Sequence, residues 1–211
     1  MIYVLFSEFS KFPEERFNEY LKLVPAHLQN DITRYVKWED RHARLIGKLL
    51  LLEGLSLVDA KIDLEHLRFT SFKRPFLDES VDFNIAHSGM IVGCAISKGP
   101  IRIGLDLEQV QSVNLSDFEN VFNGVDLKLI HESEKPIECF FEFWTRKEAV
   151  IKADGRGLYA PLKEITVHTN LVNFSGKDWT INPLDVRSNY KASIAVDKKH
   201  YEIKMIERRY N

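Results

Sequence analysis

Along the chain, the spacing of hydrophobic and polar positions changes period several times. Ile2-Tyr3-Val4-Leu5-Phe6 is an apolar run soon broken by Ser7, Glu8 and Ser10, which predicts a first strand. Residues 13 to 24 open on Pro13-Glu14-Glu15, with acids where a helix N-terminus attracts them, and residues 38 to 57 predict a longer amphipathic helix. There Leu45, Leu49 and Leu52 face one side, and Arg41, Arg44 and Lys48 another. Strands are predicted at 81 to 85, 91 to 97 and 101 to 108, with Lys98-Gly99-Pro100 turning the last two into a hairpin. Helices follow at 116 to 122, 126 to 133 and 136 to 153. Asp154-Gly155-Arg156-Gly157 ends the last one, where glycine suits a left-handed cap. Strands at 164 to 168, 179 to 185, 190 to 196 and 201 to 207 complete an α+β pattern in two halves.

Composition narrows the class. At 211 residues, 45% hydrophobic and 28% charged, the chain can build one sizeable core or two small subdomains. A net charge of -2 gives no whole-protein attraction to nucleic acid or an anionic membrane, so neither is an expected partner. Cys94 and Cys139 sit in apolar surroundings without disulfide-framework or zinc spacing, which predicts two buried thiols in a reducing, cytoplasmic setting. The start lacks a basic leader, and no apolar run is long enough to span a bilayer.

Two segments carry the chemistry. In Ile103-Gly104-Leu105-Asp106-Leu107-Glu108 the two acids are spaced by one residue on a strand, so both carboxylates point to one face. In Phe143-Trp144-Thr145-Arg146-Lys147-Glu148-Ala149-Val150-Ile151-Lys152, Glu148 and Lys152 share a helix face. Alone, the acid pair reads as a solvated strand and the Glu-Lys pair as a surface ion pair worth a few tenths of a kcal/mol. Phe140, Phe141, Phe143 and Trp144, however, make this helix too apolar for a solvated spacer. Where strand and helix meet, three carboxylates and an ammonium would converge, a set suited to a hard divalent cation and a phosphate.

These segments resemble the paired signatures of the Sfp-type 4'-phosphopantetheinyl transferases. The resemblance extends to Glu39-Asp40-Arg41-His42-Ala43-Arg44-Leu45, Lys73-Arg74-Pro75-Phe76, Phe83-Asn84-Ile85-Ala86-His87-Ser88-Gly89 and Gly155-Arg156-Gly157-Leu158, nearly continuously from residue 38 to 162. It implies two similar α+β subdomains in a pseudo-twofold arrangement, residues 1 to 102 and 103 to 211, with coenzyme A bound between them. The implied reaction moves 4'-phosphopantetheine from coenzyme A to a serine of an apo acyl carrier protein or peptidyl carrier domain, with magnesium or manganese as cofactor. By motif, Asp106, Glu108 and Glu148 would hold the metal, Lys152 would neutralise phosphate charge, and Glu148 is the first candidate for general base. Arg41, Arg44, Arg74, Pro75, His87 and Ser88 would line the coenzyme A site, with His42 and Arg156 as further candidates. Asp126 falls where some relatives carry another acid, or else is a solvent-facing helix cap. Lys128, Arg146 and Lys147 are candidates for a basic patch steering an acidic carrier.

Two departures from the family pattern stand out: Ala86 replaces a common Ser, and Ala43 an Arg found in some members. They motivate one rival, a noncatalytic coenzyme A or carrier-binding module. A metal-dependent phosphohydrolase, needing no protein acceptor, is the other. A chain holding both halves of the site is expected to work as a monomer.

Overall fold

A computed structural model describes residues 1–210, with residue 158 described by its backbone alone. In chain order its regular elements are β1 (Ile2–Glu8), α1 (Glu14–Leu21), α2 (Ala26–Thr33), α3 (Trp38–Leu57), β2 (Arg68–Phe69), β3 (Pro75–Phe76), β4 (Val81–Ser88), β5 (Ile91–Lys98) and β6 (Ile103–Gln109). They continue with α4 (Gly124–Glu132), α5 (Pro136–Asp154), β7 (Leu171–Phe174), β8 (Lys177–Leu184), β9 (Tyr190–Val196) and β10 (Ile203–Glu207). The chain is α+β and its described residues divide into two compact units: residues 1–69, 75–100 and 202–210, and residues 70–74 and 101–201. Among the described residues no helix is long and apolar enough to cross a membrane.

The first unit carries a four-stranded sheet ordered β10-β1-β5-β4, with β1 antiparallel to β5 and parallel to β10. Leu45, Leu49 and the fully buried Ile46 and Leu50 turn the apolar side of α3 into a core with Leu5, Phe83, Val92 and Ile96. The second unit repeats the plan: a four-stranded sheet ordered β6-β9-β8-β7, with β6 antiparallel to β9 and the long α5 packed on both. Gly104 explains how close α5 lies. A Cβ there would stand 1.9 Å from the Ala149 carbonyl oxygen and 2.9 Å from the Ala153 methyl, so only hydrogen lets the helix rest on β6.

Several elements differ from the expectations. The hairpin across Lys98-Gly99-Pro100 does not form, because β5 is already paired on both edges by β1 and β4, while β6 pairs with β9. The hairpin is β4–β5, turned at Gly89 with φ 52. The strand expected at 201 to 207 is β10, and its parallel partner β1 places it in the first unit, not with the second half as a division near 102 would have it. Residue 211, the end of that expected half, lies outside the described residues. The stretch 164 to 168 is no strand, and β7 instead runs over Leu171–Phe174. Residues 116 to 122 reduce to one 3-10 turn at Leu115–Phe118, and residues 26 to 33 supply α2, a helix the pattern did not single out. The expected left-handed stop is present: Gly155 has φ 91 and its N–H returns to the Ile151 carbonyl. Cys94 is buried as expected, whereas Cys139 is only half-buried.

Candidate active site

In the second unit, β6 and α5 bring the two signature segments together. Asp106 faces α5 from β6, 4% exposed, and Lys152 donates from Nζ to its Oδ1 at 2.6 Å. Asp106 pairs across the sheet with Ser193, whose hydroxyl is 3.0 Å from Thr145 Oγ1, so the helix is also pinned to β9 beside the acid. Glu108 and Glu148, both half-buried, stand near enough that their charges act on Asp106. Burial pushes the Asp106 carboxyl up to about 7, against the opposing pull of Lys152 and with the added push of Glu108 and Glu148. Burial likewise raises Glu148, with Glu108 adding to it and Lys152 opposing. Lys152 is raised on balance: desolvation works against its charge, but the Asp106 carboxylate and the two glutamates outweigh it.

The donor chemistry suits a hard divalent cation. Asp106 Oδ2 is buried with no hydrogen-bond partner among the described residues, a costly state for a carboxylate oxygen unless a cation or proton meets it. Two further carboxylates nearby give the all-oxygen set that magnesium or manganese takes. As placed, the lysine ammonium provides the counter-charge. Among the described residues, no group of three or more His, Cys, Asp or Glu side chains is arranged to hold a metal.

On the first unit, the Arg44 guanidinium sits 3.9 Å above the Tyr35 ring, and Arg44 itself is exposed. Arg41 lies over Phe17 at 5.8 Å, its Nε buried without a hydrogen-bond partner among the described residues. His87 is exposed and Ser88 half-buried at the end of β4, where the β4–β5 hairpin turns. Pro75 opens β3 opposite Phe69. Ala43 and Ala86 are both buried, at 3% exposure each. His42 belongs to the core: its Nε2 accepts from the Phe12 N–H at 3.0 Å, its Nδ1 stands 2.8 Å from the Trp38 carbonyl, and Phe9, Phe12, Phe17 and Trp38 surround it. In the second unit, Arg156 is bound to Asp154 at 2.6 Å.

Arg146 and Lys147 cannot form a surface patch, because both are buried. Arg146 donates to the Thr169 carbonyl at 2.6 Å and Asn170 Oδ1 at 2.9 Å, while Lys147 donates to the carbonyls of Leu162 and Ile165. The Lys147 ammonium, fully buried, also faces Asp126 Oδ2 at 3.2 Å. Asp126 is therefore neither solvent-facing nor the cap of α4. Asn123 is the cap, accepting from the N–H groups of Val125 and Asp126, and His168 Nδ1 stands 3.4 Å from Asp126 Oδ1. Desolvation lowers the Lys147 pKa, with Asp126 opposing. A sequence signal for this pair existed: Lys147 follows Phe143 by four residues and precedes Val150 by three, which sets it on the apolar stripe of α5.

Both halves of the chain match known proteins. Residues 12–98 match the family described as 4'-phosphopantetheinyl transferase, N-terminal, and residues 102–198 match the 4'-phosphopantetheinyl transferase superfamily. The chain is 32% identical over 158 residues to the 4'-phosphopantetheinyl transferase Gsp of Aneurinibacillus migulanus, covering 73% of this chain and 65% of that protein. It is 27% identical over 160 residues to the 4'-phosphopantetheinyl transferase Sfp of Bacillus subtilis strain 168, covering 73% and 70%. A third relative is the L-aminoadipate-semialdehyde dehydrogenase-phosphopantetheinyl transferase of Schizosaccharomyces pombe, 34% identical over 105 residues, covering 44% and 41%. The chain thus spans about two thirds of the length of the first two relatives. It belongs to the 4'-phosphopantetheinyl transferase superfamily, within the Sfp type.

Proposed function

We propose that this chain transfers 4'-phosphopantetheine from coenzyme A to a serine hydroxyl of an apo acyl or peptidyl carrier protein, releasing adenosine 3',5'-bisphosphate. The observation that carries the reading is the contact of Lys152 with Asp106, 2.6 Å across two segments distant in sequence, beside Glu108 and Glu148. Phosphoryl transfer asks a protein chiefly to position reactants and to stabilise charge on the transferred and leaving oxygens. An ammonium held among acids answers the second need.

Asp106, Glu108 and Glu148 would hold a magnesium or manganese ion, which when bound neutralises pyrophosphate charge and assists the leaving oxygen. Lys152 would release its hold on Asp106 in favour of the phosphate oxygens, keeping its positive charge throughout. As the serine oxygen bonds to phosphorus and the phosphorus–oxygen bond to the nucleotide breaks, the serine proton must leave. By motif, Glu148 is the first candidate to accept it. Arg41, Arg44, His87 and Ser88 would serve coenzyme A by motif. The proposal includes a cytoplasmic setting, in which both thiols stay reduced, and a chain that works as a monomer.

The test is the intact mass of an apo acyl carrier protein after incubation with the chain, coenzyme A and magnesium, with and without chelator. A gain of one phosphopantetheine that disappears with chelator is the expected result. Release of adenosine bisphosphate with no carrier present would point instead to a phosphohydrolase, and coenzyme A binding with no transfer to several carriers would point to a binding module.

A further inference from the structure

The segment Thr70–Arg74 belongs to the second unit although the residues on both sides belong to the first. It is a tight turn. The Thr70 N–H donates to the Arg74 carbonyl and the Lys73 N–H to the Thr70 carbonyl, each at 2.9 Å, and the Arg74 N–H donates to Thr70 Oγ1 at 3.1 Å. Lys73 has φ 66, a left-handed conformation that a side chain adopts at a cost, and Pro75 restricts Arg74 to extended backbone. The turn delivers the Arg74 side chain to the point where α5 ends against β6.

Arg74 is a phosphate contact by motif, yet it is only 6% exposed and two of its side-chain nitrogens donate to main chain. Nε donates to the Lys152 carbonyl at 3.1 Å, and Nη2 to the Ile103 carbonyl at 3.1 Å. Lys152 lies in the last turn of α5, where carbonyls have no intrahelical donor, and Ile103 opens β6, an edge strand. A cation there also meets the negative end of the helix dipole. Gly155 makes room for it: a Cβ at that position would lie 2.9 Å from Arg74 Cδ. One planar fork therefore joins the backbone of Lys152 to that of Ile103, three residues before Asp106 on the same strand.

We infer that Arg74 is a positioning residue that clamps the C-terminal turn of α5 to the start of β6, and so holds Lys152 at Asp106, in place of contacting a coenzyme A phosphate. A lysine cannot substitute, because a single ammonium on a flexible stem does not reproduce two divergent donors in one plane. The inference rests on the transferase reading for its kinetic test.

The test compares wild type with Arg74→Lys, Arg74→Ala and Gly155→Ala in the carrier-protein transfer assay, reading kcat and the KM for coenzyme A separately. If wild type transfers nothing, the transferase reading fails by itself, and thermal unfolding of the variants still reads the clamp. With wild type active, both Arg74 variants should lose kcat by roughly tenfold to a hundredfold, as expected when reacting groups shift by about an ångström, with KM nearly unchanged. Gly155→Ala, which crowds Arg74 without removing any charge, should share that pattern. Arg74→Lys keeps the buried charge and guards against a failure of Arg74→Ala to fold. A raised KM for coenzyme A in Arg74→Ala, restored by Arg74→Lys, would overturn the inference, as would full kcat and unchanged unfolding in both.

Discussion

Lys152 Nζ and Asp106 Oδ1 meet at 2.6 Å across 46 residues of sequence, and the contact exists because Gly104 lets α5 lie on β6. The pair is asymmetric. Asp106 is almost fully buried, whereas the Lys152 side chain keeps 30% of its exposure, so the cation has a path outward that the acid lacks. Replacing Lys152 by Met should therefore cost more function than fold: transfer should fall roughly a hundredfold to a thousandfold, the range for removal of one charge-stabilising donor. Steady-state kinetics at saturating coenzyme A measure it. Asp106→Ala should abolish transfer with the circular dichroism spectrum intact, and full activity of that variant in magnesium would exclude Asp106 as a metal ligand.

Lys147 and Asp126 form a further ion pair in the second unit, and it is wholly interior. Removing one partner strands a buried charge, so Lys147→Met should destabilise by about 3–5 kcal/mol. The double variant Lys147→Met with Asp126→Leu should recover much of that, since the penalty lies in the unpaired ion more than in the lost attraction. Urea unfolding of the four proteins in the cycle gives the coupling, and simple additivity would show that the two groups act independently.

Gly104→Ala should loosen α5 from β6. The added methyl would meet the Ala149 carbonyl oxygen at 1.9 Å, backbone that cannot give way as a side-chain tip can. Loss of at least about 1–3 kcal/mol is expected, together with loss of transfer. Gly124→Ala provides the control, because nothing stands within 4 Å of its would-be Cβ.

His42 sets a pH dependence in the first unit. Burial holds its pKa below the usual 6.5, helped by Arg41 and Lys11 and opposed by the Trp38 carbonyl and Glu39. In the unfolded chain the ring takes up a proton near its ordinary value, so the unfolded state binds more protons below pH 6.5. Stability from the neutral ring is thus complete above that value and drains away as pH falls through the folded pKa. His42→Phe should lose this part of the acid slope. At pH 8 it should be less stable by about 1–3 kcal/mol, because the Phe12 N–H loses its acceptor. Thermal unfolding of both proteins from pH 5 to 8 tests this, and parallel curves would exclude the histidine.

Much of this molecule can be read from local pattern. The period-two placement of Asp106 and Glu108, the helical spacing of Glu148 and Lys152, the long amphipathic α3 and the glycine stop of α5 are all nearest-neighbour properties, set by side-chain direction and backbone preference. The family, too, follows from short segments in order. What local pattern could not supply is partner choice. A strand carries no label for the edge it joins, so β5 pairs with β1 and β4, not with β6, and β10 returns to β1. Charged residues carry no label for burial either. Arg146 and Arg74 look like surface cations in the sequence, yet both are buried and donate to main-chain carbonyls. Sequence by itself determined which residues could do the chemistry and on which elements they ride. Tertiary structure decided which cations face the acids and which hold the backbone, because desolvation and hydrogen-bond satisfaction are settled only when distant segments pack.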